Sequence, residues 1–294
     1  LVQGLGVAAP RAVTMSMVRD LYEGREMAKV MSVVSAVFIL VPAVAPTLGV
    51  AILALGSWRM IFLFILLVGA LTVAWLSLRQ PETLPPTNRR AFRLSTILSG
   101  IFEVMSKRES IGTILASGIS TGALFGYLGA SQQLFAQAFD QADNFPYLFG
   151  ALALAIGVAS VVNASLVMRY GMRFLSRNAA LFSTIISIIY LMAYLTLPIQ
   201  SMLLPFMIWG LCVFFCLGIM FGNIMSIGMA PLGHLAGVGA AVLGSLTTVL
   251  SAAIGSPIGQ AFNGTALPII LGFVVLHAIT YLIIRYMLNA PDPI

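Results

Sequence analysis

The sequence predicts an all-α integral membrane protein, from its composition, its apolar segments of helix length and the placement of its cations. Of 294 residues, 60% are hydrophobic and 8% are charged, whereas a soluble domain has about 25% charged residues. A helix needs about 20 mostly apolar residues to cross a bilayer. Nine such segments can be traced, with the approximate bounds 1–19, 29–55, 58–78, 110–138, 146–168, 178–197, 201–226, 235–262 and 266–288.

Lys and Arg are distributed unequally between the two sides of this predicted bundle. Cytoplasmic loops of membrane proteins are enriched in Lys and Arg. One side receives Arg59 with the acids Asp140 and Asp143, and the other receives thirteen of the fifteen cations. This split predicts a cytoplasmic C-terminus, and it explains the basic character of the chain without a nucleic-acid partner. The thirteen cations are Arg19, Arg25, Lys29, Arg79, Arg89, Arg90, Arg93, Lys107, Arg108, Arg169, Arg173, Arg177 and Arg285.

Residues 79–109 separate the first three predicted spans from the last six. This segment is Pro-rich and basic in RQPETLPPTNRRAFR and then mildly amphipathic in LSTILSGIFEVMSKRE. It predicts a cytoplasmic linker with a surface helix. Residues 1–78 are then the last three helices of an N-terminal half, and residues 110–294 form a six-helix C-terminal half. Because the chain begins at Leu1 inside an apolar run, we expect three earlier helices to be missing; a true nine-span protein is the alternative.

Proline and glycine recur in similar surroundings in the two predicted halves. VAPTLGVAILALGSW (44–58) and GSPIGQAFNGT (255–265) each place a small residue before a proline and glycines after it. Parallel repeats of this size are typical of transporters built from two similar halves. A proline inside a helix removes a backbone donor and bends the helix. We interpret the repeat as a bend and contact surface that moves during transport, with a static kink as the alternative. Its residues are Pro42, Ala45, Pro46, Gly49 and Pro257.

Five segments of the sequence are similar to motifs that occur at defined helices and loops of one family of membrane transporters. LVQGLGVAAP is similar to a fourth-helix pattern R-x-x-Q-G-x-G, and VRDLYEGREMAKVMS is similar to the loop that follows it. LFGYLGASQQLF is similar to a seventh-helix stretch, and MRYGMRFLSR to a basic loop between the eighth and ninth helices. The kink segment is similar to a fifth-helix antiporter motif that ends in Gly-Pro-x-x-Gly-Gly. The matching residues are Gln3, Gly4, Gly6, Arg19, Asp20, Gly24, Arg25, Pro46, Gly49, Tyr127, Ser131, Arg169, Gly171 and Arg173.

On these motifs the chain resembles the major facilitator superfamily, and within it the bicyclomycin-resistance (Bcr/CflA) branch of drug:proton antiporters. The resemblance covers essentially the whole chain, as helices 4 to 12 of twelve. It implies a major facilitator fold of two six-helix halves, the first of them incomplete. It also implies that the fourth, seventh and tenth helices line a central cavity and that the proton-coupling acid lies on the first helix, which we expect to precede this chain.

Arg11 is the candidate cavity residue with the clearest physical argument. It lies near the middle of its predicted helix, where an arginine costs from about 2.5 to more than 10 kcal/mol. It should therefore face the bundle interior, where it lines the substrate cavity or holds a coupling carboxylate; a structural pair or a snorkelling side chain is the alternative. Polar and aromatic residues on the cavity helices complete the candidate set, with helix packing as the alternative for each. They are Thr14, Phe125, Tyr127, Ser131, Gln132 and Trp209, with Gln133 and Asn223 as further members.

The remaining titratable residues divide into a candidate gate and expected structural groups. Arg19, Asp20, Arg25, Arg169, Gly171 and Arg173 predict a cytoplasmic gate whose salt bridges differ between two states, with ordinary solvated charges as the alternative. None of the nine acids lies in mid-span, so the chain offers no coupling carboxylate. We expect His234 and His277 to be structural, Cys212 and Cys216 to be packing residues, and Asn163, Gln260 and Asn263 to bond between helices.

The sequence thus predicts a secondary active transporter that exports small amphipathic compounds by proton antiport and alternating access. We expect a monomer in a bacterial inner membrane, with a substrate, protons and the lipid bilayer as partners. The proton gradient would supply the energy, and we expect no cofactor, metal or nucleic acid. A transporter of the same fold for a nucleoside, amino acid or sugar remains the main alternative. A polytopic membrane enzyme would need a catalytic cluster, and two histidines without a mid-span acid argue against it.

Overall fold

The structure is a computed structural model that describes residues 44–82, 94–198 and 201–288, together with isolated positions between 4 and 41. The chain divides into two compact units, Leu1–Arg93 and Leu94–Ile294. The spans predicted at 1–19 and before residue 44 lie largely outside the described residues. In the described part, seven helices are long and apolar enough to cross a membrane. The chain is therefore a multi-pass membrane protein, as the composition predicts.

The first unit contains two described helices, α1 over Val44–Leu53 and α2 over Arg59–Arg79. A short turn joins them, and the guanidinium of Arg59 lies over the ring of Trp58 at 4.8 Å. Among the described residues, no side chain of α2 is buried, although most of them are apolar. A helix that is apolar on all sides is typical of a membrane span, and α2 is long and apolar enough to be one.

The second unit is a six-helix bundle preceded by one short helix. The short helix is α3, Leu94–Ser106, within the segment where the sequence predicts a surface helix. The spans predicted from 110 onwards are all present as helices. They are α4 (Arg108–Gln133), which continues as a π-helix over Leu134–Ala138, α5 (Phe145–Tyr170), α6 (Met172–Thr196), α7 (Leu203–Met229), which continues as a 3-10 turn over Ala230–Leu235, α8 (Ala236–Gln260) and α9 (Leu267–Met287).

The start of α6 differs from the prediction, which placed it near residue 178. The helix begins at Met172, directly after Gly171, which ends α5 with φ 77° and ψ 157°. Glycine adopts positive φ without a steric penalty, so one residue is enough to reverse the chain. Arg173 and Arg177 consequently lie in the first turns of α6. Their charges suggested a loop because the sequence does not show that the turn is so short.

Helix α4 lies against α8 along a seam of small residues. A methyl group added at Gly255 would stand 2.5 Å from Phe125 Cβ and 2.7 Å from the carbonyl oxygen of Gly122. One turn on, the methyl group of an alanine at Gly259 would meet the Gly126 carbonyl oxygen at 3.2 Å. Small residues allow this close approach of two helix backbones, which is a common basis of helix association in membranes. The seam makes α4 and α8 the most closely apposed pair of the bundle.

Helices α5 and α7 form a second close pair, in parallel orientation. Leu152 packs over Gly210, and further along the backbone of Ile156 and Ala159 packs over Gly218. Helix α6 packs against α7 and α9, and α9 also packs against α4. One continuous apolar core fills the space between the six helices. The bundle therefore has a dense interior that positions every side chain described next.

Candidate functional site

The candidate residues on α4 fall into different environments. Tyr127 is 1% exposed, and its ring stacks on Phe149 at 6.0 Å and meets Phe214 edge-on at 5.1 Å. The Tyr127 hydroxyl is buried, and it has no hydrogen-bond partner among the described residues. Ser131 is also buried and donates to the carbonyl of Leu128 at 3.2 Å. In contrast, Phe125 is half-buried on the side that faces α8, and Gln132 is exposed.

Trp209 on α7 is buried at a junction of three helices. Its indole N–H donates to Ser187 Oγ on α6 at 3.0 Å. The indole stacks on Tyr190 with ring centroids 5.2 Å apart and meets Phe273 of α9 edge-on at 5.4 Å. A buried tryptophan usually finds a partner for its N–H group, and here that partner also fixes the rotation of α6 against α7.

Tyr127 and Trp209 belong to one continuous series of aromatic rings. Neighbouring rings in this series lie 5.1–6.2 Å apart, which is the usual range for favourable aromatic pairs. The sequence predicts only the first and fourth rings as site residues. Because the others are phenylalanines in apolar spans, their sequence carries no signal that distinguishes them from core residues. In order, the series contains Tyr127, Phe214, Phe273, Trp209, Phe206 and Phe135.

This aromatic interior holds few polar groups, and two of its hydroxyls have no hydrogen-bond partner in the part of the chain that the structure describes. They are the hydroxyls of Tyr127 and Tyr190. A binding site for a small apolar molecule is mostly hydrophobic with a few well-placed polar groups. A buried hydroxyl without a partner lacks the hydrogen bond it makes in water. In this conformation the rings are packed against one another, and the two hydroxyls are polar groups within that packing.

His277 lies at the midpoint of α9 and is completely buried. Ser183 of α6 lies 2.5 Å from its Nδ1, and Ser120 of α4 lies 3.4 Å from its Nε2. A neutral imidazole has one donor and one acceptor nitrogen, which matches two hydroxyls that can each donate or accept. Each residue lies near the middle of its helix, so His277 joins three helices near the centre of the bilayer. This agrees with the structural role expected for it.

Asn163 and Asn223 form a reciprocal pair of hydrogen bonds between α5 and α7. The Asn163 amide donates to Asn223 at 2.9 Å, and the Asn223 amide donates back at 2.7 Å. The interhelical bond expected for Asn163 is therefore present. Asn223 is a candidate cavity residue, but in the structure its side-chain amide is hydrogen-bonded to Asn163. Asn263 instead accepts hydrogen bonds from its neighbour Thr265.

The structure describes only some of the residues of the predicted kink and of the predicted gate. Ala45, Pro46 and Gly49 lie in α1, and Pro257 lies exposed inside α8. The glycines on either side of Pro257 contact α4 of the same unit. Arg169 lies over the ring of Tyr170 at 5.3 Å. Thr14 is helical and exposed. The remaining kink, gate and cavity residues, Arg11, Arg19, Asp20, Arg25 and Pro42, lie outside the described residues, so their roles stay predictions.

A repeated glycine spacing on α4 is a further sequence signal, which the motifs above do not include. Gly118, Gly122 and Gly126 recur every fourth residue and so share one helix face. This face is the one that contacts α8. Within the described ranges, no group of three or more His, Cys, Asp or Glu residues comes together as a metal site would require.

Comparison with known proteins places the chain among transporters. The sequence pattern of the Major Facilitator Superfamily matches residues 1–256. A bicyclomycin resistance protein homolog of Haemophilus influenzae is 32% identical over 179 residues, covering 60% of this chain and 45% of the relative. An uncharacterized MFS-type transporter, YdgK of Bacillus subtilis, is 26% identical over 79% of this chain and 58% of its own length.

Several matching relatives carry the name multidrug resistance protein MdtL. The Escherichia coli protein of this name is 26% identical over 235 residues, covering 78% of this chain and 56% of the relative. The Klebsiella pneumoniae protein is 28% identical over 45% of this chain and 33% of its own length. This chain thus spans about half the length of the curated relatives that it matches most fully.

Proposed function

Because this chain belongs to the Major Facilitator Superfamily, we propose that it works as a secondary active transporter that exports small amphipathic compounds in exchange for protons. The observation that carries the proposal is the 32% identity to a bicyclomycin resistance protein homolog over 179 residues. Relatives named multidrug resistance proteins point to the same substrate class. The proposed location is a bacterial inner membrane with the C-terminus in the cytoplasm.

The interior of the second unit supports an amphipathic substrate. Its ring series is large and apolar, and the hydroxyls of Tyr127 and Tyr190, which have no partner among the described residues, add hydrogen-bonding capacity at two points. A drug-sized molecule with aromatic rings and one or two polar atoms would complement these groups in a conformation in which the helices separate. On this proposal Phe125 and Gln132, which are accessible on α4, contact the substrate first. Ser131, Trp209, Arg11 and Thr14 complete the proposed cavity.

Alternating access requires a bistable element, and two parts of the chain are proposed for it. Pro46 and Gly49 would bend the predicted span to which α1 belongs, and Pro257 would bend α8. The charges Arg19, Asp20 and Arg25, with Arg169 and Arg173, would form the cytoplasmic gate. The proton gradient would drive the cycle, in a monomer without a cofactor. A ligand can shift such an equilibrium only by its differential affinity for the two states.

Proton exchange in everted membrane vesicles tests this proposal. The native protein is expressed, the vesicles are energised, and a pH-sensitive dye reports proton release from the lumen on addition of candidate drugs. We expect release with amphipathic drugs and none in vesicles without the protein. No release with any of them would contradict drug antiport, whereas release with a nucleoside, amino acid or sugar would assign a metabolite substrate instead.

Arg11 provides the residue-level test. Arg11→Ala should lower transport strongly while membrane insertion stays intact, because it removes the one cation of the predicted cavity. Arg11→Lys keeps the charge and should retain more activity. The matched control is Arg59→Ala, which removes a cation at the start of α2 that contacts the Trp58 ring. Equal transport by wild type and Arg11→Ala would refute the cavity role.

A further inference from the structure

Helix α3 carries two apolar faces, and the described residues of the second unit cover only one of them. Val104 is completely buried, and Gly100 lies so close to α8 that an added methyl group would stand 3.1 Å from Val238 Cγ1. Val104 belongs to a small core with Ile114 of α4 and Leu243 of α8. This face therefore anchors α3 to the beginnings of two membrane-spanning helices.

The second apolar face of α3 is exposed. Leu98 is 56% exposed, Phe102 is 77% exposed and Met105 is 39% exposed. Spacings of four and three residues place these side chains in one row along the helix. The row is adjacent to the anchored face, and Glu103 lies on the remaining, polar side. An exposed row of large apolar side chains on a helix that is already docked indicates a second contact.

The position of α3 indicates which kind of surface makes that contact. The helix has 13 residues, which is too short to cross a bilayer. It ends at Ser106, and the span α4 begins two residues later at Arg108. The apolar row thus lies at the level where a membrane span starts. Short helices with an apolar row at that level lie in the interface between headgroups and acyl chains.

The cations next to α3 indicate which class of lipid its apolar row contacts. Lys107 and Arg108 follow α3 directly, and Arg89, Arg90 and Arg93 precede it in the sequence. Clusters of Lys and Arg next to membrane helices are attracted to anionic headgroups. We propose that α3 is an interfacial anchor whose residues Leu98, Phe102 and Met105 insert into a leaflet containing anionic phospholipid. This inference goes beyond the transport proposal and does not depend on it.

Depth-resolved spin labelling of the whole protein in lipid nanodiscs tests the anchor. Cys212 and Cys216 are replaced by alanine, and Phe102→Cys is labelled with a nitroxide. We expect collisions with oxygen, which concentrates among acyl chains, to exceed those with a water-soluble nickel complex several-fold. Glu103→Cys is the matched control on the polar side, and there we expect the reverse ratio. Removal of anionic lipid from the nanodiscs should reduce the oxygen excess at position 102.

Three other outcomes would each contradict the proposal. High nickel accessibility at both positions would show a helix in water. Inaccessibility of position 102 to both reagents would show that protein covers the row, either residues 1–93 or a second copy. An oxygen excess that is independent of anionic lipid would refute the charge selectivity. If the cysteine-free background does not fold, quenching of Phe102→Trp by brominated lipids, measured against the wild-type protein, gives the same contrast.

Discussion

The seam between α4 and α8 yields a quantitative prediction for Gly255→Ala. The new methyl group would lie 2.5 Å from Phe125 Cβ, 2.7 Å from the Gly122 carbonyl oxygen and 2.9 Å from the Gly126 nitrogen. Two of these atoms are backbone, so no side-chain rotation relieves the clash. The two helices must separate by about 1 Å to restore carbon contacts of about 3.5 Å.

The expected free-energy change follows from two opposing effects. Overpacking of this kind costs about 3 kcal/mol, the upper end of its usual range, because the obstructing atoms cannot turn away. Alanine is the better helix former by about 1 kcal/mol. We therefore expect Gly255→Ala to destabilise the protein by about 2 kcal/mol. At Gly126 an added methyl group would stand 2.7 Å from Ile258 Cγ2 and 2.8 Å from Ile258 Cβ. Because side-chain rotation moves only the first of these atoms, Gly126→Ala should also destabilise the protein.

Gly244 provides the control on the same helix. A methyl group there would meet nothing within 4 Å, so Gly244→Ala should be neutral or stabilising by up to about 1 kcal/mol. Reversible unfolding in mixed micelles, titrated with a denaturing detergent, measures both variants. Their unfolding equilibrium constants should differ by about 100-fold, since every 1.4 kcal/mol is a factor of ten. Equal stability of Gly255→Ala and Gly244→Ala would refute the close apposition of α4 and α8.

Three further substitutions test the polar contacts inside the bundle. Asn223→Leu should lower the free energy of unfolding by about 1–2 kcal/mol because it leaves the Asn163 amide unsatisfied in the membrane. The double variant with Asn163→Leu should recover part of this loss. If the effects of the two substitutions simply add in the same unfolding assay, the hydrogen-bonded pair is contradicted. His277→Ala should lower the melting temperature in detergent clearly more than His277→Gln, which keeps a donor and an acceptor. Equal melting temperatures of the two variants would show that hydrogen bonds from residue 277 do not hold the three helices together. Trp209→Phe should cost about 1 kcal/mol by losing the bond to Ser187 while keeping the ring contacts, and an unchanged free energy of unfolding would show that this bond contributes nothing.

The sequence predicts the spans of this protein well because a membrane helix needs only length and apolarity. Helices α2 and α4 to α9 all lie where apolar runs predict them. The error at the start of α6 has a local cause. Gly171 joins two helices by itself, so Arg173 and Arg177 lie in a helix although their charges suggest a loop.

The site was harder to predict because a membrane helix does not reveal which of its faces is internal. In water, polar residues mark the outer face, but in lipid both the interior and the outside of a bundle are apolar. Tyr127 and Trp209 were therefore predicted to line a cavity, and only the packing of α5, α7 and α9 around them shows how deeply they lie. Asn163 was expected to bond between helices, but its partner Asn223 depends on the rotation of two helices, which no local pattern specifies.

The pairing of α4 with α8 also dictates an order of events during synthesis. Ser251 of α8 donates to the carbonyl of Gly118 in α4, and the two residues are 133 positions apart in the chain. At about 5–20 residues per second, a ribosome takes roughly 7–27 s to make this intervening sequence. Until then α4, the least apolar of the spans that the structure describes, has its glycine face uncovered. Helix α8, which lies in the last fifth of these 294 residues, thus completes the packing of a helix that entered the membrane several helices earlier, so a ribosome stalled before Ala236 leaves α4 without its partner.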